Sequence, residues 1–207
     1  DASAHQAALA TGTIAVLAGG IDVVYPPEHQ GLQAAIGERG CLLAEQPLPS
    51  TTYGMGHTRW ATHGAPTDRN AHPHLDTDAK VAVVHNGIIE NFAALRSELE
   101  ASGVVLASDT DTEVVSHLLA AAFDGDLAEA MRQVCRRLDG AFTLVAVHAD
   151  QPDLVVGARR NSPLVVGLGD GENFLGSDVA AFIAHTRRAV ELGQDQVVEL
   201  RANSVTV

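Results

Sequence analysis

Lys80-Val-Ala-Val-Val-His-Asn-Gly-Ile-Ile-Glu-Asn91 decides how the chain is read. Its first part, Lys80–Val84, is a continuous apolar run of strand length that leads into His85-Asn86-Gly87. An Asn-Gly pair between strands is the strongest short-range signal for a type I′ hairpin turn. Here Ile88-Ile-Glu-Asn-Phe92 follows and enters a helix over Asn91–Ala101, stopped by Gly103, where a hairpin needs a returning alternating strand. Asn86 and Gly87 are therefore left open for another task.

Downstream, Thr110-Asp-Thr-Glu113 has the form of a capping box and opens a helix through about Phe123. A third helix, Asp126–Leu138, sets Leu127, Met131, Val134, Cys135 and Leu138 on one face. The rest reads as strand: Phe142–Val147, Leu154–Ala158, Leu164–Leu168, Asn173–Leu175, Gln196–Leu200 and Ser204–Val207. A short helix near Val179–His185 is interposed, capped by Ser177. Helices followed by many strands indicate a layered α+β domain within the α/β class.

Upstream, Ala4–Ala10 is Ala-rich, and Thr13–Ala18 and Cys41–Ala44 are short apolar runs without alternation. Such runs fit a parallel sheet covered on both faces. A loop holding Pro26-Pro27 and a helix around His29–Glu38, with Gly40 at its C-cap, separate them. Pro47–Thr52 reads as a linker. The expected division is residues 1–50, an α-β-α-β fragment, and residues 51–207, a second domain.

The chain has 207 residues, 46% hydrophobic and 19% charged, with a formal net charge of −13. An acidic chain of this kind fits small polar substrates and argues against nucleic acid, whose phosphates require clustered Lys and Arg. The twelve Arg and single Lys80 carry no functional reading. Two cysteines, Cys41 and Cys135, make no disulfide framework, so a reducing cytoplasm is expected. No apolar run approaches the ~18 residues of a membrane helix, and the first residues do not have the form of a signal peptide.

Six motifs in order carry a resemblance: His57-Thr-Arg-Trp-Ala-Thr-His-Gly64, Asn70-Ala-His-Pro-His74, His85-Asn-Gly-Ile-Ile-Glu-Asn91, Ser108-Asp-Thr-Asp-Thr-Glu113, Ser162-Pro-Leu-Val-Val-Gly167 and Glu172-Asn-Phe-Leu-Gly-Ser-Asp178. Together they resemble the N-terminal-nucleophile glutaminase domain (a type 2 glutamine amidotransferase) of the glucosamine-6-phosphate synthases. The resemblance implies an αββα sandwich, here lacking its first hairpin, and L-glutamine or L-glutamate as ligand. It implies no cofactor. The family's sugar-isomerase domain is not in these residues.

By the same resemblance, Arg59 is the clamp for the α-carboxylate of glutamine, a role its bidentate fork suits. Asp111 accepts from the α-ammonium. Asn86, through its side-chain amide, and Gly87, through its backbone N–H, are the oxyanion donors. Trp60, Thr62 and His63 belong to the loop that covers glutamine. His72, His74 and His85 have no regular metal-ligand spacing and no cysteine beside them, so no metal is expected.

The family opens on a cysteine whose thiolate attacks the amide and whose α-amine is the base. Asp1 cannot form a thioester, Cys41 sits in an apolar strand, and Cys135 falls on the apolar face of a helix. The chain is therefore expected to bind glutamine without hydrolysing it. Residues 1–50 resemble instead part of the DNA-processing protein A family, through Asp1-Ala-Ser-Ala-His5, Thr13–Asp22, Tyr25–His29 and Glu38–Glu45, and that resemblance implies a Rossmann-like α-β-α-β fragment. With five acidic residues against one Arg, that segment is a poor partner for DNA. A binding module or DNA-processing remnant, and a chimera without activity, are the rival readings.

Overall fold

The computed structural model describes residues 54–57, 63–65 and 67–207, together with the backbone of 14–17 and 41–44. The chain divides into two compact units, Asp1–Met55 and Gly56–Val207. In the first, β1 (Ile14–Leu17) and β2 (Cys41–Ala44) pair in parallel, Ile14 opposite Cys41, as their unbroken apolar runs lead one to expect. The helices expected over Ala4–Ala10 and His29–Glu38, and the linker of residues 47–52, lie outside the described residues.

In the second unit, alternation decides which face each strand buries. β3 (His74–Leu75), β4 (Val81–Ile89), β5 (Gly140–His148) and β6 (Val155–Arg160) are consecutive antiparallel neighbours. β7 (Val165–Leu168), β8 (Asn173–Gly176) and β9 (Ala189–Glu191) form a separate sheet in the order β8-β7-β9. β10 (Val197–Arg201) and β11 (Ser204–Thr206) return to the first sheet, which runs β11-β10-β6-β5-β4-β3.

One face of the six-stranded sheet presents Val81, Val83, Leu144, Ala146, Val156 and Ala158 to a core shared with three helices. These are α1 (Phe92–Ala101), α2 (Thr112–Ala122) and α3 (Leu127–Cys135). α3 inserts Leu127, Met131 and Val134, with Leu138 just beyond its end, all within 1% of full burial. Cys135 is half-buried beside them. The opposite face sends Val198 and Leu200 against Leu164, Val166 and Leu192 of the three-stranded layer. Gly157 lets the two sheets close, because a Cβ there would sit 3.0 Å from both Leu164 and Leu175. Helices, large sheet and small sheet are thus three successive layers, and Phe182 covers the outer side of the small sheet against Gly167.

Three local expectations are corrected. β4 does not stop at Val84 but continues through Asn86-Gly87 to Ile89, in register with β5 throughout, so the Asn-Gly pair is no turn at all. The short helix near Val179–His185 is a 3-10 turn, Val179–Ala181, and its cap is Asp178, which accepts from the Ala180 N–H, rather than Ser177. The two-residue strand β3 and the exposed strand β9 are too short to leave a periodic signal, and the sequence reading passed over both.

The capping box is the third. Thr110 Oγ1 accepts from the Glu113 N–H (3.3 Å), but the Glu113 carboxylate does not return the bond to Thr110. It accepts instead from the backbone N–H groups of Ala107 and Ser108, both at 2.6 Å, and from the Ser108 hydroxyl. The Thr110 N–H is already taken by Ser108 Oγ (3.3 Å), so the glutamate is free to reach further back and gather the whole 107–110 loop. Burial pushes the Glu113 carboxyl up, but the bonds from His117, Ser108 and Ala107 outweigh it and hold the group down at about 2, against an ordinary 4.5. A carboxyl depressed on folding contributes stability that is present above the ordinary value and lost as pH falls through the folded one. Urea denaturation as a function of pH should therefore show stability falling between about pH 4.5 and pH 2. Glu113→Gln should flatten that window and cost on the order of 2 kcal/mol at pH 7.

Candidate functional site

Asn70 at the end of a 3-10 turn (Asp68–Asn70), His72 beyond it and His74 at the start of β3 fasten the segment around them to the loop before α2. Asn70, 1% exposed, accepts from the Asp109 N–H at 3.0 Å and donates to the Ala65 carbonyl. His74 Nε2 lies 2.9 Å from Thr110 Oγ1, and His72 Nε2 lies 3.1 Å from Thr112 Oγ1. Arg69 adds an exposed ion pair to Asp109 at 2.7 Å. Gly64 has a φ of +74°, and a Cβ on it would lie 2.7 Å from the Asn70 amide nitrogen. The motifs Asn70–His74 and Ser108–Glu113 are thus two halves of one polar seam.

Asp111 is 3% exposed at the start of α2, where its Oδ2 accepts from the Ile89 N–H at 2.9 Å. Its Oδ1 is 3.5 Å from the Thr112 hydroxyl. The Nδ1 atoms of His63 and His85 stand 3.8 and 3.9 Å from Oδ2. His85 is 4% exposed, and burial pushes its imidazole down to about 4; Asp111 opposes that shift, and His57, His63 and His74 reinforce it.

These residues border a cavity of about 280 Å³, lined by His63, His85, Asn86, Gly87, Ile88 and Asp111, with His57, His72, Thr110 and Thr112 completing the wall. Asn86 is exposed. Gly87 has a φ of +134°, and a Cβ there would run into the Ala141 carbonyl oxygen of β5. Of the residues expected at the site, Asn86, Gly87, His63 and Asp111 share this cavity. Arg59, Trp60 and Thr62 lie outside the described residues. Among the described residues, no group of three or more His, Cys, Asp or Glu side chains is arranged to hold a metal ion, and no helix is long and apolar enough to cross a membrane. His72, His85, Thr110 and Thr112 were given no role in the cavity by sequence reasoning, and no periodic signal marks them.

The layered antiparallel sheets under three helices are the fold of the N-terminal-nucleophile amidotransferases. The structure is similar to that of the glutamine phosphoribosylpyrophosphate amidotransferase from B. subtilis complexed with ADP and GMP. The TM-score is 0.61 at 22% identity, over 72% of this chain and 33% of that one. A family model described as a glutamine amidotransferase domain matches residues 57–184, and one described as DNA recombination-mediator protein A matches residues 1–57. The chain is 74% identical over 167 residues to the glutamine–fructose-6-phosphate aminotransferase (isomerizing) of Streptomyces coelicolor, covering 80% of this chain and 27% of that protein. It is 56% identical over 193 residues to the protein of the same name from Leifsonia xyli, covering 91% and 31%. This chain belongs to the glutamine amidotransferase family, and it spans less than a third of the length of those relatives.

Gly87→Ala tests the local geometry. The substitution combines a disfavoured φ with a clash against backbone, and it should cost about 2–4 kcal/mol in urea denaturation. Asn86→Ala, at an exposed side chain, should change stability by less than about 1 kcal/mol.

Proposed function

We propose that the chain is the glutamine-binding part of a glucosamine-6-phosphate synthase-like amidotransferase, and that these residues hold L-glutamine or L-glutamate without hydrolysing the amide. The observation that carries the reading is the meeting of Asp111, Asn86, Gly87 and His63 on one cavity, with the Asp111 carboxylate tied to the strand that bears Asn86 and Gly87. A free amino acid presents an ammonium, a carboxylate and, in glutamine, a side-chain amide. Asp111 supplies the anion for the first, and Arg59 the fork for the second. The amide group of Asn86 and the backbone N–H of Gly87 are the donors for the carbonyl oxygen, whose negative charge grows when the amide carbon is attacked. Trp60, Thr62 and His63 cover the ligand.

Hydrolysis further requires a nucleophile, and orientation and donors do not replace one. Among the described residues no cysteine lines the cavity. Burial pushes the Cys135 thiol up to about 12, so it is protonated at neutral pH. Fructose 6-phosphate belongs to the name of the longer relatives; its site and the isomerase activity lie, in this reading, in the two thirds of their length that this chain does not span. Nothing in the acidic balance of residues 1–50 supports a nucleic-acid role for them.

Calorimetric titration with L-glutamine and L-glutamate should show saturable binding, while ammonia release stays at the level of a heat-killed control. Asp111→Asn and Arg59→Ala should each weaken binding by about tenfold to a hundredfold, the cost of losing a charged hydrogen-bonded contact. Unchanged affinity in both variants, or no binding by the unsubstituted protein, overturns the site. Ammonia release that disappears in Cys41→Ala overturns the inactivity.

A further inference from the structure

Three groups converge on the hydroxyl of Thr112, itself 1% exposed: His85 Nδ1 at 3.0 Å, His72 Nε2 at 3.1 Å and Asp111 Oδ1 at 3.5 Å. A threonine hydroxyl has one proton and two lone pairs, so it donates once and accepts twice. The assignment follows from His85. Its Nε2 is buried and has no hydrogen-bond partner among the described residues. A proton on Nε2 would leave an orphaned buried N–H, a rarer and costlier arrangement than an unused lone pair. The proton therefore belongs on Nδ1, which donates to Thr112 and fills one of its lone pairs. Thr112 keeps a single proton to give, and a carboxylate is the stronger of the two remaining acceptors.

We propose that Thr112 is a positioning residue for the ammonium-binding carboxylate, with His85 directing the threonine proton onto Asp111. The carboxylate is then held on both oxygens, by the Ile89 N–H on Oδ2 and by the Thr112 hydroxyl on Oδ1. One end of this clamp is the strand that carries Asn86 and Gly87, and the other is the first residue of α2. A carboxylate fixed in plane presents its free lone pairs in one direction, which selects a ligand that carries an amine at one distance from the amide. The function of the device is discrimination: α-amino acids over acids of the same length that lack the amine. It rests on the reading of Asp111 as the ammonium acceptor.

The experiment compares two ligands, L-glutamine and glutaramate, its des-amino analogue, in calorimetric titrations of the whole chain. The unsubstituted protein should favour glutamine by about tenfold or more. Thr112→Val, which keeps the shape and removes the hydroxyl, should lower glutamine affinity by about tenfold and leave glutaramate unchanged. Thr112→Ser should restore the preference. Long-range proton–nitrogen NMR of the unsubstituted protein should show His85 as the neutral Nδ1–H tautomer.

Equal losses for both ligands would mean that Thr112 is merely structural, and an undiminished preference in Thr112→Val, or an Nε2–H tautomer at His85, would remove the positioning role while leaving glutamine binding intact. Failure of the unsubstituted protein to bind glutamine overturns the functional reading and this proposal with it. Should Thr112→Val not fold, His85→Asn, which retains a donor toward Thr112, and His85→Leu, which does not, read the same selectivity. The preference should survive the first and fall in the second, and its survival in both overturns the proposal.

Discussion

The hydrogen bond from the Ile89 N–H to Asp111 Oδ2, 2.9 Å long and buried, is the constraint on which the rest of the site depends. Ile89 ends β4 two residues after Gly87, and Asp111 precedes α2, so one bond fixes a strand end against a helix start. It is available because β3 accompanies β4 only at Ala82 and Val83. Further along, that edge of β4 has no strand beside it among the described residues, and a backbone donor there must find another acceptor. A carboxylate fills the position. The group that takes the ammonium in the proposed complex is thereby set at a fixed separation from the groups that face the amide.

Around that bond the two polar motifs act as one body. Asn70, His72 and His74 reach Asp109, Thr112 and Thr110 in turn, and Glu113 draws the backbone of Ala107 and Ser108 under the helix start. Burying so many polar groups costs free energy unless every one is paired, and almost all are. The His85 Nε2 has no hydrogen-bond partner among the described residues, and it is the neutral imidazole, whose orphaned atom carries a lone pair and no charge, that makes this tolerable. Polar contacts already made within the protein lower the ordering cost of binding.

The layers were legible in the sequence because their signals are periodic. α3 has apolar residues at Leu127, Met131 and Val134, and the long strands β4 and β5 have runs that no loop would contain. What escaped was short or depended on distant partners. β3 and β9 have two and three residues and carry no period. The Glu113 side chain followed an available backbone donor in place of the local one, a choice made by Ser108 and invisible to a four-residue pattern. That β4 runs past Val84 through Asn86-Gly87 also escaped, because local rules give the pair turn propensity and only β5, distant in sequence, offers nine consecutive partners to a strand that runs straight. Of the candidate site, Asp111, Asn86, Gly87 and His63 came from resemblance. That Thr112 gathers His72 and His85 could come only from coordinates.

Gly87 and Gly140 sit on facing strands, and a Cβ on either would run into backbone of the other strand: Ala141 O for the first and Ile88 O for the second. Compensation usually relieves such crowding, with one residue shrinking as its neighbour grows. Here Gly87 is paired with Phe142 and Gly140 with Ile89, and the obstacles are not side chains but carbonyl oxygens that every residue possesses. No second substitution can make room for a first. For anyone diversifying this scaffold, the two positions are fixed points on the mutational map, and new ligand preferences must be sought in the side chains that ring the cavity.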